Sequence, residues 1–342
     1  MRLPWTSQPA AQDEPPTPPV IPSLGNGIAV PITPEMVTGL LESIRSTDLP
    51  DPGTDFYVDW AGVRTRVDML PWAPQELRGV RNTELPIPDD GYRSEDVEYA
   101  ALAQALSTAS ETFRIVEVGA GWAPWVVAGI VVARRMGLRP YGIAVEADLR
   151  RSEWAMQHAL DNNVRAELVT GTPGEIAAAL AAPTGDVEMR VVRAAGWHST
   201  TVLQFPDIDE QDMGAAVWTL PGTDVDYRGA HLSHHDVSTV SMETLLASTN
   251  LTDLLHVDVQ GVEFELLEPS SDVVQQNVRL MAVGTTNRLV EGELQQHFLA
   301  RGWGLLVDAP CTAVFTMTHP TLSGFTVQDG NQLWENPFLR QT

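Results

Sequence analysis

The 342-residue chain reads as an α/β protein built on a doubly wound, mostly parallel sheet of seven strands, with an N-terminal cap and an inserted β-rich region. Three stretches carry that expectation. Phe113 to Trp125 (FRIVEVGAGWAPW) holds Ile115, Val116 and Val118, an apolar β-branched run suited to a strand buried on both faces. It leads through two glycines into a helix-forming segment, Val126 to Met136. Tyr141–Val145, Leu149–Asn162 and Ala166–Thr170 then repeat the alternation as strand, helix and strand. Leu254 to Leu267 (LLHVDVQGVEFELL) is a further strand that passes through a glycine turn into a helix.

Composition narrows the function classes. A formal net charge of −24 argues against a nucleic-acid partner, because phosphate recognition needs a basic surface, and it disfavours anionic membranes for the same reason. All 21 basic residues are arginine. A single cysteine, Cys311, excludes an internal disulfide and any multi-cysteine metal site, and reads as a small core residue. The N-terminus lacks the apolar stretch of a signal peptide. The longest apolar run, Trp125 to Ala133, falls far short of the roughly 20 residues that a membrane span requires. A soluble, cytoplasmic protein is expected, and a homo-oligomer is compatible with the sequence.

Residues 1–34 carry Pro15, Pro16, Pro18 and Pro19 with little apolar periodicity, and read as a flexible arm. Residues 35–110 read as a cap. Thr33 caps a short helix with Pro34 at its first position, followed by Glu35 and Met36. Phe56–Trp60 and Val63–Met69 alternate around Ala61–Gly62 as a β-hairpin. Pro71 to Tyr92 is a loop ending in the turn Asp89–Asp90–Gly91. Ser94, with Asp96 and Glu98, opens a helix reaching about Ser110, acidic in its first turn as the helix dipole favours.

The domain proper spans 111–342. After Val118 the chain turns at Gly119–Ala120–Gly121, where two glycines let the backbone approach a ligand and the next helix offers free N–H groups. A dinucleotide fingerprint would need a third glycine at Pro124, and a Walker loop would need a lysine that this chain lacks. What remains is acid-x-Gly-x-Gly, beginning at Glu117, the pattern of S-adenosylmethionine (AdoMet) binding. Glu146 ends the second strand, where a carboxylate can accept from both hydroxyls of a ribose, with Ala147 beside it. Period-two geometry places His256, Asp258 and Gln260 on one face of the strand in 254–260, costly unless they meet a ligand or each other. The first and fourth strands flank the topological switch point, so Asp258 should face Glu117 and Gly119 across a cleft. Glu263 follows in the first turn of the next helix.

Residues 171–253 are longer than one crossover needs, and such insertions shape the second substrate's pocket. Val187–Ala194, Thr200–Phe205 and Ala215–Leu220 read as its strands, with Asp207–Asp212 and Pro221–His235 as loops. His231, His234, His235 and Asp236 could hold a metal or supply a neutral imidazole base. Adjacent side chains of an extended segment point to opposite sides, so no metal is expected, and one of His234 and His235 is assigned to the acceptor pocket. Leu280–Val283 is a fifth strand, Val290–Ala300 a helix closed by Gly302, and Leu305–Val307 with Ala313–Met317 the closing strands.

These residues resemble the FkbM-type methyltransferases. METLL followed by LLHVDVQGVEFELLE looks like that family's fourth-strand signature, VEVGAGWAPW and AVEAD are similar to its AdoMet motifs, and GNQLWENP fits a tail seen in such proteins. The likeness covers roughly residues 94–338; Ala123 stands where many class I enzymes have a third glycine, and 171–253 matches poorly. It implies a Rossmann-like class I methyltransferase fold and an AdoMet-dependent O-methyltransferase, acting on a hydroxyl of a sugar, glycan or glycosylated natural product. The expected cofactor residues are Glu117, Gly119, Ala120, Gly121, Trp122, Glu146, Ala147, Asp258 and Gln260. Gln260 and Glu263 are expected to touch the acceptor, and Asp258, His234 and His235 are the catalytic candidates. The alternative is a non-catalytic nucleotide-binding or scaffold domain in carbohydrate assembly.

Overall fold

A computed structural model describes residues 33–85, 96–209, 214–217, 232–315, 317 and 321–339. The arm before Thr33, the turn at Asp89–Gly91, Ser94, residues 210–212 of the expected acidic loop, residues 218–220 of the expected strand, and residues 221–231 of the loop after it, His231 included, lie outside the described residues. Helix α1 (Pro34–Ser43) starts as expected, with the Thr33 hydroxyl accepting from Met36 N. The hairpin strands β1 (Phe56–Val58) and β2 (Arg64–Arg66) are shorter than the alternation suggests, because Val67–Met69 tightens into a 3₁₀ turn. Helix α2 runs Asp96–Thr108.

The chain then alternates through β3 (Thr112–Val118), α3 (Pro124–Arg135), β4 (Arg139–Glu146), α4 (Leu149–Asp161), β5 (Ala166–Val169), α5 (Pro173–Ala181) and β6 (Met189–Arg193). A small three-stranded sheet follows, made of β7 (Ala195–Trp197), β8 (Val202–Pro206) and β9 (His234–Ser241) in the order 7-9-8. The main sheet resumes with α6 (Met242–Thr249), β10 (Thr252–Val257), α7 (Glu263–Leu267), α8 (Ser271–Asn277), β11 (Val278–Thr285), α9 (Arg288–Ala300) and β12 (Gly304–Ala309). The two-residue strand β13 (Thr312–Ala313), the turn α10 (Leu322–Phe325) and β14 (Thr326–Gln328) lead to the last strand, β15 (Gly330–Glu335).

The main sheet has eight strands, not seven, in the order 12-15-11-10-3-4-6-5; β15 runs antiparallel to both neighbours and the other pairs are parallel. Three strand assignments change. Val187–Ala194 does not belong to an insertion: β6 lies between β4 and β5 and pushes β5 to the edge. Ala313–Met317 is not a closing strand of this sheet, and GNQLWENP is not a tail; Gly330–Glu335 is the strand inserted between β11 and β12, with Trp334 fully buried. Residues 215–217 form no strand.

Each face of the sheet carries its own core. Ile115, Ala144, Leu254, Leu280 and Leu333 pack under α2 and α3 together with Leu40, Leu41, Trp60 and Val63 of the N-terminal segment. Val116, Val145, Leu255, Met281 and Trp334 pack with α5, α6 and α9. Polar ties pin the N-terminal hairpin to the sheet domain. Asn162 Oδ1 accepts from Arg64 N at 2.9 Å, Arg66 forks onto Asp161, and the Arg135 guanidinium donates to the carbonyls of Ala61 and Ile44.

Candidate active site

The chain leaves the buried strand β3 at Val118 and crosses Gly119, which has φ +79°. A Cβ there would lie 1.7 Å from the carbonyl oxygen of Asp258, so only glycine lets the two chain crossings touch. Asp258 N in turn donates to Val118 O at 2.9 Å. That contact fixes the switch point between β3 and β10, where a doubly wound sheet binds ligands. Ala123, the N-cap of helix α3, lies in the left-handed region at φ 57°, ψ 50°. The position of the missing third glycine therefore keeps the conformation that glycine would take. Glu117 reaches up from β3, and its carboxylate accepts from Val126 N at 2.9 Å, at the N-terminus of α3.

Glu146, at the end of β4, accepts from Gly121 N at 2.7 Å and from Asp148 N at 2.8 Å through its two oxygens. The carboxylate is thus oriented by backbone, with lone pairs left on both oxygens. Around these groups lies a cavity of about 440 Å³, within the usual size of small-ligand sites. Glu117, Gly119, Ala120, Gly121, Trp122, Glu146, Ala147, Asp258 and Gln260 all line it, so the structure brings every one of the expected cofactor residues together. Ala195, Phe205, Ile208 and Val217 close it beside Ala147, which is how residues after β6 shape the site.

Three expectations about individual residues change. Period two does not extend through Gln260: β10 ends at Val257, and Gln260 sits at φ 60°, where its amide donates to Asp258 Oδ1 at 2.6 Å. A non-glycine residue held in that region beside a pocket is the kind of strain that functional sites store. Glu263 is fully buried and does not line the cavity; one oxygen accepts from Gly261 N at 2.9 Å and the other has no partner among the described residues. His234 and His235 open strand β9 rather than ending a loop, and neither lines the cavity. His235 is exposed, with Nδ1 2.7 Å from Asp207 Oδ1. Among the described residues no three His, Cys, Asp or Glu side chains are grouped to hold a metal ion.

Several lining residues are not among those the sequence assigns to the site. Trp72 comes from the loop after the hairpin, with its ring 5.5 Å from Trp122. Arg151 enters from α4 and Asp329 from the turn before β15. Glu98 and His256 meet at the cavity's inner end, 2.8 Å apart. A buried histidine beside Asp258 on a core strand was the available signal; Glu98 looked like an ordinary first-turn acid.

Burial raises the carboxyl of Glu117 to about 8, that of Glu146 to about 7 and that of Glu263 to about 8. Each would titrate near 4.5 when unfolded, so between there and pH 8 the folded chain holds more protons than the unfolded one. Stability must then fall as pH rises through that window. For His256, burial opposes the charge, but the bond to Glu98 and the nearby carboxylates raise its pKa, so its contribution is also lost with rising pH. His158, lowered to about 4 by burial, opposes this trend only below its ordinary 6.5. The melting temperature of the ligand-free protein should therefore decline between pH 6.5 and 8 in a calorimetric series. A flat or rising profile would contradict these protonation states.

An acid-x-Gly-x-Gly turn at the switch point, an oriented carboxylate ending the next strand and an antiparallel strand slotted into the far side of the sheet define a Rossmann-like methyltransferase fold, and this chain has that fold. A curated relative from Jannaschia sp. (strain CCS1), named "Putative methyltransferase", is 27% identical over 300 residues, 87% of this chain and 97% of that protein. No family model matches the chain.

Solved structures of similar fold include Sp1610 of Streptococcus pneumoniae, described as "a putative tRNA (m1A22) methyltransferase" (12% identity, 68% of each chain, TM-score 0.33). PH1948 of Pyrococcus horikoshii, "a putative RNA methyltransferase", is 9% identical over 74% of this chain and 91% of its own, with a TM-score of 0.34. The C-terminal domain of precorrin-6Y C5,15-methyltransferase from Rhodobacter capsulatus is 12% identical over 72% and 90%, with a TM-score of 0.35. These likenesses are of fold. They run against one expectation, that nucleic acid is excluded as a partner, because proteins described as tRNA and RNA methyltransferases stand among them. Among the described residues no helix is long and apolar enough to cross a membrane.

Proposed function

We propose that the chain is an AdoMet-dependent O-methyltransferase acting on a hydroxyl of a sugar, a glycan or a glycosylated natural product. The observation that carries the cofactor is Glu146, held by two backbone N–H groups at the mouth of the Gly119–Gly121 turn. The residues fit the group. Glu146 would take the ribose hydroxyls, and Ala147, Phe205 and Ile208 would cover the base. The glycine turn and Trp122 would lie along the sulfonium and amino-acid end, where Glu117 and Asp258 offer carboxyl oxygens. When bound, AdoMet supplies an electrophilic methyl group.

Asp258 would stand at the junction of cofactor and acceptor, with Gln260 holding its carboxylate and reaching toward the acceptor. For the acceptor, Trp72, Trp122 and Trp125 offer flat apolar faces, while Glu98, Gln260 and Asp329 offer polar partners to hydroxyls. The likeness to FkbM-type enzymes supports the same choice. The protein's task is to hold acceptor oxygen and methyl carbon in line, which removes much of the entropic barrier.

Two measurements test this. Native mass spectrometry of the purified protein should show AdoMet or S-adenosylhomocysteine, and a panel of methyl glycosides should yield S-adenosylhomocysteine with at least one acceptor. Glu146→Ala, which removes a charged bidentate partner, should weaken AdoMet by about 1.5–3 kcal/mol, roughly ten- to a hundredfold. Unchanged affinity in a folded variant would remove Glu146 from the cofactor site.

A further inference from the structure

The inner end of the cavity holds a pair of side chains that the cofactor does not require. Glu98, in the first turn of α2, accepts from or shares a proton with His256 on β10, with 2.8 Å between Oε1 and Nε2. The two side chains are 11% and 5% exposed, so the pair is held away from bulk water, yet both line the cavity. His256 is fixed from several sides. It lies in register between Glu117 of β3 and Ala282 of β11, and the ring of Trp125 from α3 packs 5.6 Å from its own. Its Nδ1 is buried and has no partner among the described residues. The charged groups around it are Glu98 from α2, Glu117 from β3 and Asp258 at the end of β10.

The two carboxylates at this end differ in what remains free. Asp258 is engaged by both the side-chain amide and the backbone N–H of Gln260. Glu98 has one oxygen on His256, while its Oε2 has no hydrogen-bond partner among the described residues. A carboxylate that is clamped at one oxygen and open at the other, inside a pocket and beside the acidic junction residue, is arranged to accept a proton.

We propose that Glu98 is the base for the acceptor hydroxyl, with His256 as the residue that positions it. This rests on the O-methyltransferase reading above. The acceptor's O–H bond breaks, its proton goes to Glu98 Oε2, and the electron pair left on oxygen forms the new bond to the methyl carbon as the carbon–sulfur pair departs with sulfur. His256 Nε2 holds Glu98 Oε1 throughout, so the carboxylate meets the hydroxyl in one orientation. Glu98 is supplied by the N-terminal segment, which makes that segment part of the active site.

The test uses the full chain and three variants. Glu98→Gln should bind AdoMet within about twofold of wild type by calorimetry, yet turn over a methyl glycoside at least about 100-fold more slowly. His256→Gln keeps a donor for Glu98 and should retain most of kcat, whereas His256→Leu should lose as much as Glu98→Gln with little change in KM. In cofactor-free protein labelled at histidine with ¹⁵N, the His256 titration should move to lower pH in Glu98→Gln. Wild-type turnover by Glu98→Gln with AdoMet binding intact would overturn the proposal alone, as would a His256 titration that does not move. Failure of the wild type to bind AdoMet would remove the cofactor reading and this proposal with it.

Discussion

Gly119→Ala should cost about 3–5 kcal/mol of stability, the sum of a left-handed backbone penalty and an overlap that neither strand can relieve. At φ +79°, the new Cβ would sit 1.7 Å from Asp258 O, backbone against backbone at the sheet's centre. Relief would require β3 and β10 to separate, which also opens the cradle, so any folded fraction should bind AdoMet very weakly. Gly137 provides the control. It has the same φ, +79°, but nothing lies within 4 Å of its added Cβ. Gly137→Ala should therefore cost only about 1–2 kcal/mol and leave AdoMet affinity alone. Equal melting temperatures for the two variants would show that the close crossing is not the constraint.

Asp258→Asn should lower turnover of a methyl glycoside by roughly 100- to 1000-fold while the chain stays folded. Asparagine can still accept from Gln260 but brings no negative charge to the junction of sulfonium and acceptor. Its effect should appear in AdoMet affinity as well as in kcat, whereas that of Glu98→Gln should fall on kcat. If turnover is intact and only the melting temperature drops, Asp258 serves the β3–β10 crossing and not the reaction.

Much of this site was legible because its residues are local to two strand-turn-helix units. Glu117, the glycine turn and Glu146 each end a buried strand, and an apolar run that stops at an acid and a glycine is visible in one dimension. Asp258 is legible for the same reason, but strict alternation fails beyond it: the strand stops at Val257, and Gln260 is aimed by a left-handed backbone that no alternation rule describes. Sheet order was harder. Val191 and Val192 read as a strand of an insertion because nothing local says that β6 will slip between β4 and β5. Gly330–Glu335 read as a tail because its pairing partners, β11 and β12, lie far upstream. His234 and His235 drew attention by composition alone, and a histidine-rich string carries no information about which way its strand faces. Glu98 was overlooked for the opposite reason, since an acid in a helix's first turn already has a sufficient local explanation.

The placement of β15 has a consequence for the order of events during synthesis. Strand β12 emerges well before Gly330–Glu335, yet among the described residues its partner in the finished sheet is β15, and β11 is paired on that side by β15 as well. Until residues 330–335 have been made, β11 presents a raw edge of Val278, Leu280, Met281 and Val283, and Phe298 waits without the indole of Trp334 that will pack 5.7 Å from it. An apolar edge held open in this way invites pairing with another chain. A nascent chain stalled after β12 should thus be the species most prone to aggregate.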